Sequence, residues 1–113
     1  MDFYHDVLDI YEAHKEFESS CLLYDFSSYE KSHQGIILLK FGVPVLDVES
    51  DGERVNIHIE TKHKDSDAVK DVMEFVEQRC KKLGVRYYIR EIERLDPWLR
   101  KKHAISDSNY VAY

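Results

Sequence analysis

Apolar and polar residues alternate most regularly over residues 43–62, where two runs flank the dipeptide Asp51-Gly52. An Asp-Gly pair between alternating runs predicts a two-residue β-hairpin turn, because a type I′ turn requires positive φ at both central positions. This turn predicts a register in which Val48 faces Val55 and Glu49 faces Arg54. One face of the hairpin is then apolar: Pro44, Leu46, Val48, Val55, Ile57 and Ile59. The other face is polar: Asp47, Glu49, Arg54, Asn56, His58 and Glu60.

Apolar residues recur every three or four positions in two other segments, which predicts two amphipathic helices. The first helix is expected over residues 2–18, and its buried stripe contains Phe3, Val7, Ile10, His14 and Phe17. The second begins at Asp65 or Ser66 and ends near Leu83, with Gly84 at the position of a left-handed cap. Its buried stripe contains Val69, Val72, Met73, Val76, Cys80 and Leu83. We expect both helices to cover the apolar face of the hairpin.

Three further segments complete the predicted sheet. Residues 36–39 are four consecutive large aliphatic residues, which is typical of a strand that is covered on both sides or lies centrally in the sheet. Residues 85–93 alternate and form the last strand, and residues 21–26 form a possible additional one. The prediction is an α+β two-layer sandwich in the order α-(β)-β-β-β-α-β. It has a four- or five-stranded mixed sheet with two helices on one face, and the last strand lies beside residues 36–39.

Composition is that of one globular domain over residues 1–113, with residues 95–113 as a C-terminal extension. No apolar run approaches the roughly 20 residues of a membrane span, and no signal peptide is evident. A cytoplasmic location without membrane contact is therefore expected. Cys21 and Cys80 lie within apolar patterns, so we expect buried reduced thiols rather than a disulfide.

The sheet face opposite both helices is expected to be open to solvent or to a partner. Its basic and aromatic residues are the candidates for binding a single-stranded nucleic acid, a nucleotide or another ligand: His58, Lys62, Arg86, Tyr88 and Arg90. Asp47, Glu49 and Glu60 lie on the same face and bring its charge close to zero. The formal net charge of −6 also disfavours nucleic acid as a partner, so a solvated face with ion pairs is the favoured interpretation.

The six histidines do not form a recognisable metal motif, so neither a metal site nor a cofactor is expected. His58 and His63 are five positions apart on a predicted strand and point to opposite faces. His5 and Asp9 share one side of the first helix, but two ligands are too few for a structural or catalytic zinc site. His14 lies within an apolar stripe and is expected to be a hydrogen-bonded core or interface residue.

Catalytic motifs such as a nucleophile elbow, a P-loop or a dinucleotide-binding fingerprint are missing from the sequence. An enzyme or ligand carrier with a pocket between the first helix and the sheet is one alternative function. Cys21, His14 and Tyr24 are its candidate residues. No catalytic residue is assigned, and an enzyme is the less favoured class.

Eight tyrosines and one tryptophan are many for 113 residues, and both residue types are favoured at protein interfaces. Several lie with other apolar residues beyond the last strand and are the interface candidates: Trp98, Leu99, Tyr110, Val111 and Tyr113. This segment either folds back over the core or contacts another chain, and an exposed edge strand offers a second docking surface. The favoured function is a non-enzymatic, intracellular module that acts through protein contacts and self-associates. Nucleic-acid or nucleotide binding is the first alternative.

Overall fold

The computed structural model describes residues 4–14, 19–27, 32–50 and 53–103. It contains three α-helices, α1 (Tyr4–Glu12), α2 (Asp67–Leu83) and α3 (Leu95–His103). Its five strands are β1 (Ser19–Ser27), β2 (Ser32–Lys40), β3 (Val43–Ser50), β4 (Arg54–Glu60) and β5 (Arg86–Ile92). A 3₁₀ turn, Thr61–His63, follows β4. The predicted α+β class and mixed sheet are confirmed.

The sheet has the strand order β1-β2-β3-β4-β5. The first four strands are antiparallel to their neighbours, and β5 lies parallel to β4 after the crossover through α2. The prediction that the last strand lies beside residues 36–39 was wrong. β1 is a full strand of nine residues and occupies that side of β2, so the free side of β4 is where β5 pairs.

The predicted register of the β3–β4 hairpin was wrong by two residues. Val48 pairs with Ile57, and Glu49 pairs with Asn56 rather than with Arg54. Asp51 and Gly52 themselves lie outside the described residues. The connection is longer than a two-residue turn, and a shift of two leaves every side chain on its predicted face, because side-chain direction in a strand has a period of two. The alternation of apolar and polar residues therefore allows only registers that differ by two residues, but it does not determine which of these registers forms.

The apolar face of the sheet packs against α1 and α2, as predicted. Its core is formed by aliphatic residues of three strands together with both helices: Ile36, Leu38, Leu46, Val48, Ile57, Ile59, Val7, Tyr11, Val69, Val72 and Val76. The Tyr11 hydroxyl donates a hydrogen bond of 2.6 Å to the Leu39 carbonyl oxygen, which satisfies a buried polar group. α2 ends at Gly84, whose φ of 68° gives the expected left-handed cap.

The opposite face is covered in part by α3, so the prediction of an open face was wrong for this part of the sheet. α3 lies on it and forms a second, smaller core with Leu95 and Leu99 against Ile37, Leu39 and Ile92. The cause is the aliphatic run of β2, which places Ile37 and Leu39 on this side and requires apolar cover. Residues 95–103 of the expected extension thus belong to the folded domain. Within the described ranges, no helix has both the length and the hydropathy needed to cross a membrane.

Candidate functional site beneath the C-terminal helix

Asp47, Glu49 and His58 form a buried polar cluster between the sheet and α3. Asp47 pairs directly with His58 across β3 and β4, and Glu49 follows on the same face of β3. One potential ligand atom from each of the three side chains lies within 4.8 Å of the other two. The exposed fractions are 0% for Asp47, 2% for Glu49 and 7% for His58. Such burial is exceptional for carboxylates and requires close polar partners.

A hydrogen bond fixes the histidine of this cluster. The distance between His58 Nδ1 and Asp47 Oδ2 is 2.9 Å, and the nitrogen donates because an ionised carboxylate only accepts. The bond leaves Nε2 of a neutral His58 ring as an acceptor. Trp98 of α3 lies over the imidazole, with ring centroids 4.5 Å apart and a tilt of 47°. The indole therefore shields the pair from water on the α3 side.

Lys102 joins the cluster from the last turn of α3. Its Nζ donates a hydrogen bond of 2.8 Å to Glu49 Oε2 and lies 4.9 Å from the centroid of the Trp98 ring. Arg90 of β5 places its Cζ 5.8 Å from the same ring. Both cations are within the range of cation–π attraction. The indole is therefore held by contacts with β5 and with its own helix.

Glu60 holds the other end of α3. Its Oε2 accepts a hydrogen bond of 3.0 Å from the Leu95 amide, where a carboxylate also favours the positive end of the helix dipole. Its Oε1 lies 3.5 Å from both Lys62 Nζ and His63 Nε2 and has no hydrogen-bond partner in the described part of the chain. Burial lowers the pKa of His63, and the nearby Glu60 carboxylate partly opposes this effect.

The residues predicted for the open face have separated into three environments. His58 belongs to the buried cluster, and Arg90 contacts Trp98, the residue that covers this cluster. Lys62 lies in the 3₁₀ turn after β4, where it is largely exposed and pairs with Glu60. Arg86 and Tyr88 are exposed on β5. No described contact unites all five residues into one binding surface.

The predicted interface residues also divide. Leu99 is fully buried in the core of its own chain, so this side chain is not available to another protein in this conformation. Trp98 is half-buried against His58. Tyr110, Val111 and Tyr113 lie outside the described residues. For the part of the C-terminal segment that the structure describes, folding back over the sheet is therefore the arrangement observed.

The described side chains do not support the predicted pocket between the first helix and the sheet. His14 is half-buried and its Nε2 lies 2.8 Å from Asp71 Oδ2, so it joins the segment after α1 to α2. The side chains of Cys21 and Tyr24 are outside the described set. Cys80 is a buried free thiol on α2, and its burial and the Glu77 carboxylate raise its pKa, which disfavours a reactive thiolate.

Sequence reasoning missed the cluster because it treated Asp47, Glu49 and Glu60 as solvated charges. Polar residues that alternate with apolar ones in an antiparallel strand usually face water. A signal against that interpretation was present in the aliphatic run of β2, which supplies apolar surface to both faces. Leu95, Trp98 and Leu99 also follow helical spacing and could have been assigned to cover the polar face.

The cluster offers two carboxylates and one imidazole in a site covered by an aromatic ring and an ammonium group. These groups can hold a cation or exchange a proton, and they fix α3 on the sheet. No protein-family model, curated protein or solved structure gives a significant match to this chain, so its chemistry is interpreted from its own geometry.

Proposed function

We propose that this protein is a small, non-enzymatic, intracellular module that acts through protein contacts and forms a homodimer through the edge of β5. The observation that carries the proposal is the position of β5 at the end of the sheet. β4 pairs with one side of β5, and no other described strand pairs with its second side. Such an edge presents backbone donors and acceptors that another strand can take up.

The side chains of β5 support the same proposal. Tyr88 is 50% exposed and Ile89 is 42% exposed, although they point to opposite faces of the sheet. Neither α2 nor α3 therefore fully covers this edge. Tyrosine and aliphatic residues at an unpaired edge provide apolar area that a second strand would bury, and tyrosine is enriched at protein interfaces.

Complementary side chains support a second copy of this chain as the partner. An antiparallel pairing with its twofold axis at Ile89 places Tyr88 opposite Arg90 of the other protomer and Tyr87 opposite Glu91. These are cation–π and hydroxyl–carboxylate pairs, and both occur twice because the interface is symmetric. An axis at Tyr88 would instead place Arg86 opposite Arg90, which is unfavourable. Residue 89 is thus the predicted centre of a continuous sheet through both protomers.

Sedimentation velocity of the full chain from low to high micromolar concentration tests this proposal. We expect a concentration-dependent dimer that Ile89→Lys converts to a monomer, because the substitution places two ammonium groups opposite each other. Phe41→Lys is the matched control, since Phe41 is 73% exposed in the β2–β3 turn, away from β5. A wild-type monomer throughout the range would overturn the proposal, as would an Ile89→Lys dimer.

Oxidative cross-linking tests the register of the same interface. Ile89→Cys places one thiol directly opposite its symmetry copy, within the Cα separation that a disulfide requires. Tyr88→Cys is the control, because its opposite residue is Arg90. We expect an intermolecular disulfide in the first variant only. Equal cross-linking of both variants, or of Tyr88→Cys alone, would contradict a twofold axis at Ile89.

A second candidate function, binding of single-stranded nucleic acid, is favoured by one observation. The Cζ atom of Arg54 lies 6.0 Å from the ring centroid of Tyr88, beside the exposed Arg86. Aromatic rings next to arginine can stack and bind bases. A fluorescent oligonucleotide at low salt distinguishes the two functions. Saturable binding by the wild-type chain that Tyr88→Ala abolishes, together with a monomeric state, would replace dimerisation with nucleic-acid binding.

A further inference from the structure

We propose that Asp47, Glu49 and His58 bind a divalent transition-metal ion beneath α3. This site goes beyond the dimer interface of β5 and does not depend on it. Two carboxylate oxygens and one imidazole nitrogen form a mixed oxygen and nitrogen ligand set, and these atoms all lie within 4.8 Å of one another. The set could not be recognised from sequence spacing, because its members come from two strands and meet only through their pairing.

The distance between two of the ligand atoms fits a shared ion. Two ligands bound to one metal ion at about 2.1 Å lie about 3.0 to 3.4 Å apart in octahedral or tetrahedral geometry. His58 Nδ1 and Asp47 Oδ2 are already 2.9 Å apart, so exchange of the shared proton for an ion requires only a small separation of the two groups. Glu49 offers a third ligand oxygen within 4.8 Å of the other two ligand atoms.

A buried acceptor on the same face of the sheet is a second observation. Glu60 follows His58 on the same face of β4 and is 5% exposed, yet its Oε1 has no hydrogen-bond partner among the described residues. Lys62 and His63 approach this oxygen no closer than 3.5 Å. Unsatisfied buried acceptors are rare in folded proteins. This carboxylate adds a third negative charge to the face of the sheet beneath α3, which favours a bound cation there.

The ligand types indicate which ion binds. Imidazole nitrogen disfavours Mg²⁺ and Ca²⁺, which prefer oxygen ligands alone, whereas Zn²⁺, Co²⁺ and Mn²⁺ accept mixed sets. The ammonium group of Lys102, 2.8 Å from Glu49 Oε2, is the competing cation at this position. Its side chain is 35% exposed and can turn into solvent when an ion binds. Metal binding is therefore expected to release the C-terminal turn of α3 from Glu49.

Titration of the chelator-treated full chain with Co²⁺, followed by competition with Zn²⁺, tests the site. We expect one equivalent of Co²⁺ with visible d–d absorption and no thiolate charge-transfer band, because no cysteine is among the ligands. Zn²⁺ should displace it. Absence of a stoichiometric site in the wild-type chain at micromolar metal would overturn the proposal whether or not any variant folds.

Two substitutions that break the same ion pair should change metal affinity in opposite directions. Glu49→Gln removes a ligand and should weaken Co²⁺ binding by at least about tenfold, as loss of even a supporting group does in other metal sites. Lys102→Gln removes the competing cation and should strengthen binding. His14→Gln is the control, because the His14–Asp71 pair has a similar distance of 2.8 Å on the outside of the domain. Changes in the same direction for Glu49→Gln and Lys102→Gln would contradict the site, as would weaker binding by His14→Gln.

Discussion

The two faces of this sheet are both buried, yet they are built from opposite kinds of residue. The face under α1 and α2 presents aliphatic side chains from β2, β3 and β4. The face under α3 presents three carboxylates and a histidine beside a small apolar cluster. Burial of apolar area is non-directional and tolerant of small shifts, whereas buried polar groups require particular partners. We therefore expect the first face, with its larger apolar core, to account for most of the stability and the second to determine where α3 lies.

The position of α3 is determined at both of its ends and in its middle. Glu60 accepts the Leu95 amide at the first turn, and Lys102 donates to Glu49 at the last turn. Between them Trp98 lies over His58. A displacement of the helix by one residue would break all three contacts at once. A polar network of this kind adds specificity that two buried leucines on α3 could not provide.

The largest difference between the two faces is expected in stability. Leu46→Ala on the apolar face should lower the free energy of unfolding by about 2–5 kcal/mol, because it leaves a cavity in the main core. Urea unfolding should be followed by far-ultraviolet circular dichroism and by the fluorescence of Trp98, the single tryptophan. We expect both signals to shift together, since the apolar face supports the whole domain.

Leu83→Ala is the control for this cavity, because Leu83 is 53% exposed at the end of α2 and its truncation should have little effect. A shift confined to the Trp98 signal would show that Leu46 stabilises only the α3 side. That result would reverse the assignment of stability to the apolar face.

The sequence predicted the helices, the hairpin strands and the sorting of their side chains into two faces, because these features depend on local periodicity. It did not predict the register or the strand order. Registers that differ by two residues give the same apolar face. The apolar pattern therefore could not show whether the two-residue turn predicted at Asp51-Gly52 sets the register. The position of β5 in the sheet depends on β1, which occupies the other side of β2. The apolar pattern of residues 21–26 was too short to predict a strand of nine residues.

The candidate site was harder to predict for a further reason. Asp47, Glu49 and His58 acquire their chemistry only when the correct register brings them together and α3 excludes water from them. Each condition is a tertiary effect that a strand pattern does not record. The sequence left open whether the segment after the last strand folds back over the core or contacts another chain, so it did not show that the basic end of residues 95–103 reaches Glu49.

An intermediate difference in stability is expected between variants of two histidine–aspartate pairs that differ mainly in burial. Asp47→Ala removes the acceptor of the buried His58 ring and should cost about 1–3 kcal/mol of stability. Asp71→Ala removes the partner of His14, but Asp71 is 54% exposed and the cost should be below about 1 kcal/mol. Urea denaturation of both variants at neutral pH measures the difference. Equal losses would show that burial beneath α3 does not strengthen the His58–Asp47 pair.

The smallest effect is expected at the rim of the polar face, where His63 lies beside Glu60. Burial lowers the pKa of His63 from its ordinary value of 6.5, and Lys40 and Lys62 add to the shift while Glu60 opposes it. The unfolded chain therefore binds this proton more readily than the folded chain does. Stability should be unaffected by His63 well above pH 6.5 and should fall as the pH decreases below that value.

Unfolding free energies of the wild type and His63→Gln at about pH 7.5 and about pH 5.5 test this prediction. The difference between the two chains removes the contribution of the other histidines to the pH dependence. We expect the wild type to lose more stability than His63→Gln over this interval. A larger loss in His63→Gln would mean that Glu60 dominates and that the rim favours the protonated imidazole.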